Sequence, residues 1–142
     1  MAIKVIIVDD HYLIRMALEQ LFAGTEDIRV VATCADGDEV MSAVSRTEPD
    51  VVLMDLAMPN VSGLQATREL LGAQPHVGVI VLTGALFAGA ARAADALGVA
   101  GFLLKADEDP GDLPRRVREV AAGGTAWSDA VATVLVAERA RL

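Results

Sequence analysis

Five short runs of apolar, largely β-branched residues punctuate the chain, at 3–8, 28–34, 51–54, 77–82 and 99–104. Most are continuous rather than alternating, the pattern of strands buried on both faces. Between them, the segments 12–22, 38–44, 62–71, 86–97 and 113–121 carry helical spacing or helix-start signals. Five alternations of strand and helix in 142 residues predict one α/β domain, a doubly wound, five-stranded parallel sheet with right-handed crossovers and helices on both faces. After Ala122, the Gly123-Gly124 pair closes the fifth helix, and Ser128 offers a cap for an extra C-terminal helix running through Val131, Val134, Leu135 and Ala137 to Arg141. That last segment is too short to be a domain, so its apolar stripe needs a partner surface.

Composition narrows the class. A chain that is 54% hydrophobic and 23% charged is not disordered, and a lone cysteine, Cys34, excludes an internal disulfide framework and fits a reducing compartment, the cytoplasm. Twelve basic against twenty acidic residues give a net charge of −8, which argues against direct binding to a nucleic-acid backbone. The stretch 70–91 has no charged side chain and is long enough to span a bilayer. It also contains Gly72, Pro75, Gly78, Gly84 and Gly89, and reads as loop, buried strand and loop. No membrane association is expected.

The residues at the carboxyl ends of the predicted strands carry the chemistry. The first run ends in Asp9-Asp10, the third in Asp55, the fourth in Thr83 and the fifth in Lys105; the second ends without a comparable group. In a parallel sheet of order 2-1-3-4-5 the four contributing strands are contiguous and the second is an outer edge, with ligands binding at the carboxyl ends. Three carboxylates and one ammonium in one crevice leave a net −2, and a divalent cation relieves that repulsion. Hard oxygen donors select Mg²⁺, or Mn²⁺ in its place. Taken singly, each residue has an ordinary explanation: Asp9-Asp10 as a helix-entry cap, Asp55 as a turn residue, Thr83 as a strand-end hydroxyl, Lys105 as a rim charge. Their coincidence on one edge favours a site. His11 and His76 do not have ligand spacing with each other or with Cys34, so zinc is not expected.

Four motifs then point to a family: VIIVDDH at 5–11, VVLMDLAMPNVSG at 51–63, VIVLTG at 79–84 and GFLLK at 101–105. Together they resemble the receiver domain of bacterial two-component response regulators, with the CheY-like (flavodoxin-like) fold, over 3 to about 122. The resemblance implies that Asp55 takes a phosphoryl group from the phosphohistidine of a sensor histidine kinase. It implies Mg²⁺ held by Asp10, Asp55, the Ala57 carbonyl and waters that Asp9 positions. It places Lys105, the Thr83 hydroxyl and the N–H groups of Ala57 and Gly84 on the phosphoryl oxygens, and makes Thr83 and Phe102 the switch pair, with core packing as the competing explanation for Phe102. Catalysis of this kind is self-modification rather than turnover of a metabolite. Small residues at Ala57 and Ala85, the positions that tune the lifetime of the phosphorylated state in the family, imply fast self-dephosphorylation.

The segment 117–142 resembles the linker of NarL/FixJ-type (LuxR-type) transcription factors. The expectation is a receiver domain over 1–122 and a linker with a C-terminal helix over 123–142, leading to a DNA-binding output domain that lies outside this chain. An excised piece is favoured over a stand-alone receiver. In such relatives homodimers form through the first and fifth helices, here through residues such as Leu13, Arg15 and Arg116. A haloacid-dehalogenase-type phosphatase is disfavoured because Ala57 occupies the place of its acid/base aspartate, and a flavin carrier because Asp9-Asp10 would repel a flavin phosphate. A module that works through protein contacts without phosphorylation stays open.

Overall fold

The computed structural model describes residues 2–140. Its strands are β1 (Ile3–Val8), β2 (Ile28–Cys34), β3 (Val51–Met54), β4 (Gly78–Thr83), β5 (Gly101–Leu104) and β6 (Ala126–Trp127). Its helices are α1 (Tyr12–Ala23), α2 (Val40–Thr47), α3 (Gly63–Ala73), α4 (Ala90–Leu97), α5 (Leu113–Ala121) and α6 (Asp129–Ala140). All strands are parallel, in the order β2-β1-β3-β4-β5-β6.

Consecutive strand residues point to opposite faces, and each face has its own core. Val5, Ile7, Leu53, Ile80 and Leu103 pack with Leu18 and Phe22 of α1 and Val117 of α5. Ile6, Val8, Val52, Met54, Val81 and Phe102 pack with Val40, Ala66, Leu70, Ala94 and Val131 of α2, α3, α4 and α6. This division explains the continuous apolar runs: neither face of the sheet is wet. The 70–91 stretch is divided among α3, β4, the turn before α4 and the start of α4, and among the described residues no helix is long and apolar enough to cross a membrane.

Three expectations need correction. The sheet has six strands, not five, because Ala126 and Trp127 pair in parallel with Gly101 and Phe102. A Cβ on Gly101 would lie 2.2 Å from the Ala126 carbonyl oxygen, so the glycine is what admits the extra strand. Helix α4 begins at Ala90 rather than 86, because Gly89, with φ of +79°, occupies the left-handed region at its N-cap. Ser128 precedes α6, and its carbonyl accepts the Ala132 N–H at 2.9 Å, but its buried hydroxyl has no hydrogen-bond partner and caps nothing. Arg141, expected at the end of α6, lies outside the described residues. The predicted close of α5 holds: Gly123, at φ of +94°, turns the chain, and the Gly124 N–H donates to the Glu119 carbonyl at 2.8 Å. Helix α6 lies along α4, where Arg139 pairs with Asp95.

Candidate phosphoacceptor site

The sheet ladder continues past the strand ends and aims the functional side chains. The Asp9 N–H donates to the Cys34 carbonyl at 3.0 Å, the Asp55 N–H to that of Val8 at 2.9 Å and the Lys105 N–H to that of Thr83 at 2.8 Å. The backbones that leave β1, β3 and β5 are thereby each tied to a neighbouring strand at one edge, with Asp9, Asp55 and Thr83 buried and Asp10 exposed. Lys105 Nζ lies 2.6 Å from Asp9 Oδ2 and 3.6 Å from Asp55 Oδ2. The other Asp55 oxygen, Oδ1, accepts the Leu56 N–H at 2.9 Å. One oxygen is therefore held by backbone and the other faces the ammonium.

Carboxylate oxygens of Asp9, Asp10 and Asp55, together with a ring nitrogen of His11, lie within 4.8 Å of one another. Burial, reinforced by the Asp9 charge, raises the Asp55 pKa above the usual carboxylate value; the Lys105 charge, the Leu56 N–H and the Thr83 hydroxyl oppose the rise. The site thus carries more negative charge than one lysine offsets. An oxygen-rich acidic donor set of this kind suits a hard divalent cation.

The expected convergence of Asp9, Asp10, Asp55, Thr83 and Lys105 is present. Ala57 and Gly84 lie exposed at the rim, in the turns after β3 and β4. Phe102 is fully buried in the core, paired in register with Val81 on one side and Trp127 on the other. The peptide after Lys105 is trans.

Two contributors are not evident from the sequence alone. His11 lacks the spacing of a zinc ligand, yet its Nδ1 lies 3.1 Å from both Asp9 Oδ1 and Asp10 Oδ1. Its position directly after the acid pair is the available signal. Arg15, expected at a dimer interface, donates to the Asp9 carbonyl at 2.7 Å and stacks over the Tyr12 ring. Gly63, eight residues after Asp55, begins α3 against the Asp55 backbone: a Cβ there would lie 2.0 Å from the Asp55 carbonyl oxygen. Cys34, whose thiol is pushed up to about 11 mainly by burial, is a core residue with no reactive thiolate at neutral pH.

Comparison with known proteins agrees with this geometry. The model of the response regulator receiver domain family matches residues 5–118. The chain belongs to that family. It is 36% identical over 140 residues to the transcriptional regulatory protein DegU of Brevibacillus brevis, covering 99% of this chain and 59% of DegU. It is 43% identical over 81 residues to the response regulator GacA of Pseudomonas aeruginosa, covering 57% of this chain and 38% of GacA. The crystal structure of a LuxR-family two-component response regulator from Aurantimonas sp. SI85-9A1 superposes with a TM-score of 0.89 at 28% identity, covering 99% of each chain. These relatives fit the NarL/FixJ (LuxR-type) branch expected from 117–142. The chain spans less than two thirds of the length of the curated relatives it matches, from 24% to 59% among DegU, GacA and a protein-glutamate methylesterase of Geobacter metallireducens. This receiver domain carries its acid cluster at the carboxyl edge of the sheet, where a parallel α/β fold places ligands.

Proposed function

We propose that Asp55 is the phosphoacceptor, taking a phosphoryl group from a sensor histidine kinase in a Mg²⁺-dependent reaction. The observation that carries this reading is the split environment of its carboxylate, with Oδ1 bound by the Leu56 N–H and Oδ2 turned toward Lys105. Oδ2 is the oxygen that attacks phosphorus in line. The new P–O bond forms as the P–N bond to the donor imidazole breaks, and the released imidazole takes up a proton. Asp10, Asp55 and the Ala57 carbonyl would hold the cation, with Asp9 acting through water. When bound, Mg²⁺ (or Mn²⁺) offsets the charge that develops on the phosphoryl oxygens. Lys105 leaves Asp9 for one phosphoryl oxygen, and the Thr83 hydroxyl and the N–H groups of Ala57 and Gly84 donate to the others. The chain modifies itself and turns over no metabolite, and its acyl phosphate hydrolyses, which makes the signal a timed one.

Thr83 and Phe102 form the switch on this reading, with Thr83 drawn toward the phosphoryl group and the change passing through β5 toward α4 and β6. Residues 1–122 are the phosphoacceptor unit and 123–142 the link to a DNA-binding output domain in the full-length protein, which acts in the cytoplasm. Homodimerisation uses α1, where Leu13 is 77% exposed and Tyr12 and Met16 continue the apolar row. Arg116, also expected there, is engaged with Glu108 at 3.1 Å. Incubation with acetyl phosphate and Mg²⁺ tests the reading. Intact mass is expected to rise by one phosphoryl group in the wild type and not in Asp55→Asn; equal labelling of both proteins would refute it.

A further inference from the structure

The turn after β2 supplies no group to the crevice, but it does hold something there. Asp36 is 5% exposed. Its Oδ2 accepts the Asn60 N–H at 3.0 Å, and its Oδ1 accepts the Val61 N–H at 2.8 Å and the Asp38 N–H at 3.4 Å. Those amides, Asn60 foremost, keep its carboxyl below the ordinary carboxylate range despite burial. Asn60 and Val61 belong to the segment that runs from Asp55 to α3. Among the described residues, theirs are the N–H groups of 57–62 that find a protein acceptor, and both find Asp36.

The neighbouring glycine tightens the same contact. A Cβ on Gly37 would lie 2.5 Å from the Val61 carbonyl oxygen and 2.9 Å from its Cγ1. At the far end, Gly63 is pressed against the Asp55 backbone and donates to the Leu56 carbonyl at 3.0 Å. The loop is thus held at two points, and Ala57 lies between Leu56, which Gly63 holds, and Asn60, which Asp36 holds. Among the described residues, no protein group bonds the Ala57 N–H or its carbonyl.

We propose that Asp36 is a positioning residue for phosphoryl transfer: its carboxylate, bonded to the Asn60 and Val61 amides, holds the β3–α3 loop so that the Ala57 backbone meets the incoming phosphoryl group and the cation. This rests on Asp55 being the acceptor. Asp36→Asn keeps the side-chain size and one acceptor oxygen but sets an amide group against the N–H of either Asn60 or Val61. A loop displacement of the order of 1 Å costs up to about 100-fold in rate, and the loss of one of two anchors is expected to slow phosphorylation by acetyl phosphate roughly tenfold. It also weakens Mn²⁺ binding, read by electron paramagnetic resonance without any phosphoryl donor, by several-fold. Val120→Ala is the control, because Val120 packs beside Gly78 at the opposite end of the sheet and its loss lowers stability without touching the loop. Asp36→Asn with the rate and Mn²⁺ affinity of Val120→Ala at comparable thermal stability would overturn the proposal. If Asp36→Asn does not fold, the wild-type protein carries the test by amide hydrogen exchange. Protection at Asn60 and Val61, with free exchange at Ala57 and Met58, supports the anchor; free exchange at all four overturns it. Failure of Asp55 as acceptor shows separately, as labelling that survives in Asp55→Asn.

Discussion

Two loops flank the crevice, and they are built differently. The β3–α3 loop, 56–62, is bonded to Asp36 at Asn60 and Val61 and closed by the tight approach of Gly63 to Asp55. The β4–α4 loop, 84–89, is exposed apart from the half-buried Leu86, and Cβ atoms on its two glycines, Gly84 and Gly89, would meet nothing within 4 Å. No side-chain hydrogen bond caps the next helix, α4. One side of the site is therefore rigid before any ligand arrives, while the other has few contacts to lose when it moves. On the proposed function, chemistry that depends on geometry belongs to the first loop, and a response to the altered charge of Asp55 belongs to the second.

The largest expected break in this contrast comes from Gly63→Ala. With 2.0 Å between the new Cβ and the Asp55 carbonyl oxygen, either α3 or the end of β3 must shift, at a cost of about 3 kcal/mol, read as a lower unfolding midpoint with phosphorylation falling in parallel. Lys105→Ala comes next: removing the ammonium beside Asp9 and Asp55 is expected to slow phosphorylation by about 100-fold, in single-turnover kinetics, while the fold persists.

Asp55→Asn acts on stability in the opposite direction. The folded state holds the Asp55 proton more tightly than the unfolded chain does. The stabilisation from the protonated form is therefore complete below about pH 4 and lost as pH rises through the elevated pKa. The variant is expected to match the wild type in acid and to melt higher at neutral pH, by a few degrees if the charge costs about 1 kcal/mol. Mg²⁺ should narrow that gap by stabilising the wild type more than the variant.

On the loose side, Gly89→Ala places a side chain at φ of +79° with space around it, so the cost is backbone strain alone, about 1 kcal/mol, and the phosphorylation rate should not change. The smallest effect concerns lifetime. Ala85 is exposed beside the site, and Ala85→Glu is expected to alter dephosphorylation a few-fold by changing access of water to phosphorus, with formation unchanged.

The legibility of the molecule in its sequence obeys the same division. Long apolar runs placed the first five strands, and the polar residues after four of them located Asp9, Asp10, Asp55, Thr83 and Lys105, because a buried parallel strand leaves its chemistry at its carboxyl end. Strand β6 escaped because two residues are too few to show a period. The start of α4 escaped because apolar spacing across 86–97 does not reveal that Gly89 is left-handed. Asp36 escaped for a different reason. Asp-Gly after a strand reads as a turn, and the amides it binds lie 24 and 25 residues away, so only the folded chain shows what the turn holds.

The central claim is that one carboxylate at this edge accepts the phosphoryl group. Borohydride reduction after phosphorylation tests it most directly, since an aspartyl phosphate is reduced to homoserine that peptide sequencing can locate. Homoserine at position 55 and at no other aspartate is the predicted result. Homoserine elsewhere, or an intact Asp55 in protein that has gained a phosphoryl group, would contradict the account.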